Sequence, residues 1–110
     1  MLQLKKPLAF IDLETTGINL GTDRIVEIAI VKILTDGTRT VKRKLINPEM
    51  PIPKASSDIH GITDEMVKDA PTFKQVGHEL KQMLDGCDLA GYNSNRFDIP
   101  LLMEEFLRSQ

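Results

Sequence analysis

The stretch Leu8-Ala9-Phe10-Ile11-Asp12-Leu13 constrains the fold of this chain more than any other. Read as a strand, it is apolar on both alternating faces, with Leu8 and Phe10 on one and Ala9, Ile11 and Leu13 on the other. A strand of that kind is expected at the centre of a sheet that is covered on both sides. It runs out on two acids, Asp12 and Glu14, before Thr15-Thr16-Gly17 breaks the pattern. Side chains on a strand repeat with a period of two, so both carboxylates project from one face. Two like charges side by side are unfavourable unless something positive lies between them. Hard oxygen ligands suit Mg2+ or Mn2+ in that place. Taken alone, the pair more readily describes a strand end that has reached solvent, with two hydrated acids.

Residues 24–34 are rich in Ile and Val and read as a second strand. Asp36-Gly37 signals a hairpin with positive φ at its central residues, which makes residues 38–45 the antiparallel partner. Lys42, Arg43 and Lys44 cluster near the end of that strand. They either protect a sheet edge by charge or meet a phosphate backbone. Residues 47–57 hold Pro48, Pro51 and Pro53 and are expected to be irregular, not helical. Thr63 is placed to cap a short helix reaching Lys68. Phe73, Val76, Leu80, Met83 and Leu84 recur at helical spacing, a core-facing stripe. Residues 88–92 read as a short fourth strand, and Asp98-Ile99-Pro100 as the start of a last helix. The expected order is β-β-β-α-β-α, three antiparallel strands and then a crossover helix to a fourth.

The 110 residues suit one domain. A formal net charge of −2 argues against gripping a polyanion by bulk electrostatics. Any nucleic-acid contact is therefore local or bridged by cations. The single cysteine, Cys87, allows no intrachain disulfide, which suits a cytoplasmic protein. No apolar run is long enough for a signal peptide or a membrane span.

Asp12-Leu13-Glu14-Thr15-Thr16-Gly17 resembles the first motif of the DnaQ-like, or DEDD, 3′→5′ exonucleases, the family that includes the proofreading subunit of bacterial replicative polymerases. Ile59-His60-Gly61-Ile62-Thr63 is similar to the family segment that approaches the terminal nucleotide. Gly91-Tyr92-Asn93-Ser94-Asn95-Arg96-Phe97-Asp98 resembles the second motif, which ends in a metal-binding Asp; Tyr92 stands where many members have His. The resemblance runs from Ala9 to about Leu102. It implies a ribonuclease H-like α/β fold and two Mg2+ or Mn2+ ions held by Asp12, Glu14 and Asp98, with Asp12 bridging. It also implies that Leu13, Thr15, Thr16 and Gly17 line the terminal nucleotide, with His60, Asn93 and Phe97 near it. The substrate would be a single-stranded or frayed DNA 3′ end, and a polymerase subunit a partner.

Each residue also has a plainer reading. Asp98 could be a helix N-cap, Phe97 core, Asn93 a turn residue, His60 a hydrogen-bonded loop histidine, and Gly17 a turn glycine with positive φ. The family's third motif, His-x-x-x-x-Asp or Tyr-x-x-x-Asp, supplies a general base and a fourth carboxylate. The 12 residues after Asp98 hold no His, Tyr or Asp. The chain is thus expected to be an incomplete domain, inactive or nearly so by itself, with the natural protein continuing past Gln110. An incomplete domain exposes apolar surface, so self-association is expected. RNA trimming and a non-catalytic binding module remain the alternatives.

Overall fold

A computed structural model describes residues 4–90 and 97–109. Four strands form one sheet: β1 (Leu8–Thr15), β2 (Ile25–Ile33), β3 (Arg39–Leu45) and β4 (Asp88–Ala90), in the order β3-β2-β1-β4. β1 pairs antiparallel with β2 and β2 with β3, while β4 runs parallel to β1. Between β3 and β4 lie three helices, α1 (Lys54–His60), α2 (Asp64–Val67) and α3 (Phe73–Leu84); α4 (Ile99–Arg108) follows β4. An antiparallel three-strand meander with a helical crossover to a parallel fourth strand is the ribonuclease H-like arrangement. The fourth strand was expected to reach residue 92, which lies outside the described residues. No described helix is long and apolar enough to cross a membrane.

α3 begins on Thr72, whose hydroxyl accepts from the Gln75 N–H while the Gln75 side chain accepts from the Thr72 N–H. This reciprocal cap fixes where the helix starts. Its stripe of Phe73, Val76, Leu80 and Leu84 is buried against Ala9, Ile11 and Leu13 of β1, Ile28 and Ile30 of β2, and Leu101 and Leu102 of α4. Phe73 meets Phe106 of α4 edge to face, with centroids 5.1 Å apart. Burying one such side chain contributes about 1.5–3 kcal/mol. A second, smaller cluster of Val26, Ile52, Ile62 and Val67 anchors α1 and α2 beside the sheet.

Three expectations are corrected. β1 does lie inside the sheet, but only its Ala9, Ile11 and Leu13 face is buried, and Phe10 is 40% exposed. The described helices that pack on the core take that one face, leaving Phe10 level with Val31 and Val41 on the other. Residues 47–57 are not irregular throughout, because α1 starts at Lys54. Its three prolines all precede the first helical residue, and Pro53 sits at the N-cap with φ −58°, where no helical N–H is lost. The β2–β3 turn has positive φ at Gly37 alone (88°). It closes through Leu34 N–H to Thr38 O at 2.8 Å, a three-residue loop instead of the tighter turn.

Candidate active site

β1 delivers Asp12 and Glu14 to the open face of the sheet, opposite Ala29 and Glu27 of β2. The register shifts between Glu14 and Thr15, so that Val26 becomes an extra residue in β2. Such a bulge bends and re-aims the strand end, and here it lets Ile25 and Val26 both point inward, each into its own cluster. α4 supplies the third acid. Asp98 is buried, 5% exposed, with helical backbone angles and no capping hydrogen bond from its side chain. Asp98 does occupy the N-cap position of α4, but its side chain does not cap the helix. Its carboxyl takes a hydrogen bond from the Leu13 backbone instead.

Asp98 and Glu14 both feel the charge of Asp12. Burial, then the charge of Asp12 and more weakly that of Glu14, push the Asp98 pKa up to about 6, against the opposing Leu13 hydrogen bond. Burial and then Asp12 raise Glu14, with His60 and Arg43 pulling the other way. A divalent cation among them would relieve this repulsion, and three carboxylates are the donor set that Mg2+ or Mn2+ takes. Among the described residues, no group of three or more His, Cys, Asp or Glu side chains is closed up enough to hold an ion. The trio has the right chemistry, held as interacting charges and not as a finished coordination shell.

The turn after β1 is braced from three sides. Thr16 is 1% exposed, and its hydroxyl donates to Asp23 Oδ1 at 2.8 Å and accepts from the Arg24 N–H at 3.0 Å. Gly17 has no positive φ; its requirement is closeness, since a Cβ there would lie 2.5 Å from Asp23 Oδ2. From α1, Ser56 Oγ donates to Thr16 O at 2.6 Å. His60 Nδ1 accepts from the Ile62 N–H at 3.0 Å, which leaves the ring proton on Nε2, 3.0 Å from Thr15 O. Both ring nitrogens are thereby engaged, and the imidazole fastens the two motif segments together. Thr15 Oγ1 donates to Gly17 O at 2.8 Å. The Leu13 side chain lies in the core, and Phe97 is half-buried against it. Asn93 falls outside the described residues. Exposed apolar surface beside this turn comes from Ile18 (88%) and, on the α1 face that carries Ser56 and His60, Ile59 (86%). Neither Ile18 nor Asp23 stood out in the sequence; a glycine flanked by an acid six residues on gives no periodic signal.

A buried ion network ties α4 to the same turn. Glu105 Oε1 accepts from Arg24 Nε at 2.5 Å and from Arg108 Nη1 at 3.3 Å, and its Oε2 accepts from the Ile25 N–H at 3.1 Å. Arg108 also donates to Asp23 O and Leu20 O. The C-terminal half of α4 is thus held to residues 20–25, the loop and strand start that pack against the turn after β1. Sequence reasoning missed Glu105, although an acid in register with Leu101 and Leu102 on an apolar helix face was its signal.

A family model described as exonuclease, RNase_T, matches residues 9–109. The chain belongs to this exonuclease family. The match covers both acid-bearing elements and the brace between them, as the DnaQ-like motifs imply. The chain is 43% identical over 101 residues to a DNA polymerase III subunit epsilon-like protein of Rhodobacter capsulatus, covering 88% of this chain and 13% of that protein. It is 35% identical over 94 residues to the DNA polymerase III subunit epsilon of Treponema pallidum, covering 86% of this chain and 43% of that one. The chain therefore spans less than half the length of either relative. Its fold matches E. coli exonuclease I solved with an oligonucleotide, at a TM-score of 0.85 and 19% identity, over 96% of this chain and 24% of that one.

Proposed function

We propose that this chain carries the metal-binding side of a 3′→5′ exonuclease that removes nucleoside 5′-monophosphates from DNA ends. The observation that carries this reading is Asp98, buried against the strand end of Asp12 and Glu14 at a carboxylate pKa of about 6, in a chain of the exonuclease family. Asp12, Glu14 and Asp98 would hold two Mg2+ or Mn2+ ions. When bound, such ions supply the positive charge that activates water and stabilises the leaving 3′ oxygen. The chain's own contribution is placement. The braced turn of Thr15, Thr16 and Gly17 presents backbone to the terminal nucleotide, and Ile18 and Ile59 offer apolar surface to a frayed base. His60, Asn93 and Phe97 lie in the segments assigned to that nucleotide.

DNA is favoured because the relatives bear DNA polymerase III names, which also suits a polymerase partner. No His, Tyr or Asp follows Asp98 to serve as base. General base catalysis is worth roughly 10²–10⁴-fold, so this chain alone binds ends and metal but turns over slowly. A non-catalytic binding module is the second reading, favoured by the absence of a closed metal cluster among the described residues. Calorimetric titration with Mn2+, paired with cleavage of a 5′-labelled single strand, tests the proposal. Binding that is lost in Asp12→Ala, with little cleavage, is expected. An absence of Mn2+ binding would favour the second reading, and fast Asp12-dependent cleavage would overturn the expectation of slow turnover.

A further inference from the structure

We infer that Arg43 is a phosphate-positioning residue for the strand entering the site, an inference that rests on the nuclease reading above. The pleat of β3 splits the basic run. Lys42 and Lys44 turn towards α3, where both pair with Glu79. Arg43 turns to the opposite face, in the transverse row Asp12, Ala29, Arg43 across β1, β2 and β3. Strands lie about 4.8 Å apart, which puts its backbone roughly 10 Å from that of Asp12. Ala29 between them offers only a methyl group.

The Arg43 side chain is 64% exposed, and its Nη1 donates to Glu27 Oε1 at 2.8 Å. Glu27 in turn stands opposite Glu14. The guanidinium therefore lies at the rim of the carboxylates, on their face of the sheet. Its charge reaches Glu14. The pair is exposed on the arginine side only, since Glu27 is 18% exposed, and the remaining N–H donors of the guanidinium face outward, open to a stronger partner. A phosphate is such a partner, because the planar guanidinium fork matches it with two parallel hydrogen bonds. A single strand approaching several acids on a chain of net charge −2 needs a cation placed beside them. Arg39, also on this face, lies further along β3 opposite Ile33 and away from the acids.

The test is fluorescence anisotropy of a 5′-fluorescein oligothymidylate with the whole chain in Ca2+, over a series of KCl concentrations. Arg43→Gln is expected to raise Kd about 3- to 10-fold and to lower the slope of log Kd against log salt by about 0.7, the value of one phosphate contact on a single strand. Arg43→Lys should keep the slope and recover part of the affinity. A wild-type chain that binds, with an Arg43→Gln variant of the same Kd and slope, overturns the inference alone. A wild-type chain that binds no oligonucleotide overturns the nuclease reading with it. A variant that only loses melting temperature, with its salt slope intact, shows an arginine that serves the strand edge and overturns the positioning role.

Discussion

Replacing Asp98 by Asn should stabilise the chain in the absence of metal. The Asp98 pKa is about 6, against an ordinary value of 3.8, because the ionised form is buried and faces Asp12. A carboxyl whose folded pKa is raised holds its proton more tightly in the folded chain. Its favourable contribution is complete below 3.8 and is lost as the pH rises through about 6. Above that, the ionised form costs about 2–3 kcal/mol. Asn keeps the shape and can still accept the Leu13 hydrogen bond without the charge. At about pH 7.5 in EDTA, Asp98→Asn should therefore melt about 8–24 °C above the wild type, given roughly 4–8 °C per kcal/mol for a domain of this size. At about pH 4, where the wild-type carboxyl is protonated in the folded chain, the difference should shrink towards zero. Added Mn2+ should raise the wild-type melting temperature more than that of the variant, since a ligand stabilises only the chain that binds it. The assay is a thermal melt by circular dichroism across that pH range. A variant no more stable than the wild type near neutrality, or a gain independent of pH, would refute the reasoning that the three acids share one repulsive field.

Two further outcomes follow from the braces around the acids. Glu105→Ala leaves Arg24 and Arg108 facing a buried gap and orphans the Ile25 N–H, so it should cost about 3–5 kcal/mol in urea unfolding; Glu105→Gln, which keeps acceptor and shape, should lose less. Gly17→Ala forces a Cβ into the Asp23 carboxylate, which is held by Thr16 and by the Asn19 N–H. A destabilisation of about 1–3 kcal/mol is expected, and Asp23→Ala in the same chain should recover part of it if crowding is the cause.

Wherever one local rule governed, the sequence was readable. β1, α3 and the β2–β3 hairpin followed from alternation, a 3.6-residue stripe and a glycine turn, each of which depends on neighbours within a few residues. α1 was hidden because prolines read as breakers unless one knows that the last of them occupies the N-cap. The open outer face of β1 was hidden for a different reason. Apolar residues at Leu8 and Phe10 state a preference for cover, and what covers them is decided by other elements.

The site divides along the same line. Asp12 and Glu14 were legible as a pair, because two residues on one strand must share a face. The resemblance named Asp98, but nothing local required it to be buried against Leu13. Its depth comes from α4, and α4 is held by Glu105 to Arg24 and Ile25 and by Arg108 to Leu20 and Asp23, contacts that span some eighty residues. The same network positions the turn that His60 and Ser56 clamp from the other side. A substitution in that network should therefore reach the acids without touching them. In Glu105→Gln, loosening α4 should let water reach Asp98 and bring its pKa back towards 3.8, and a weakened pH dependence of melting would report it. An unaltered pH profile would mean that Asp98 is held in place by its own packing, independently of the strap.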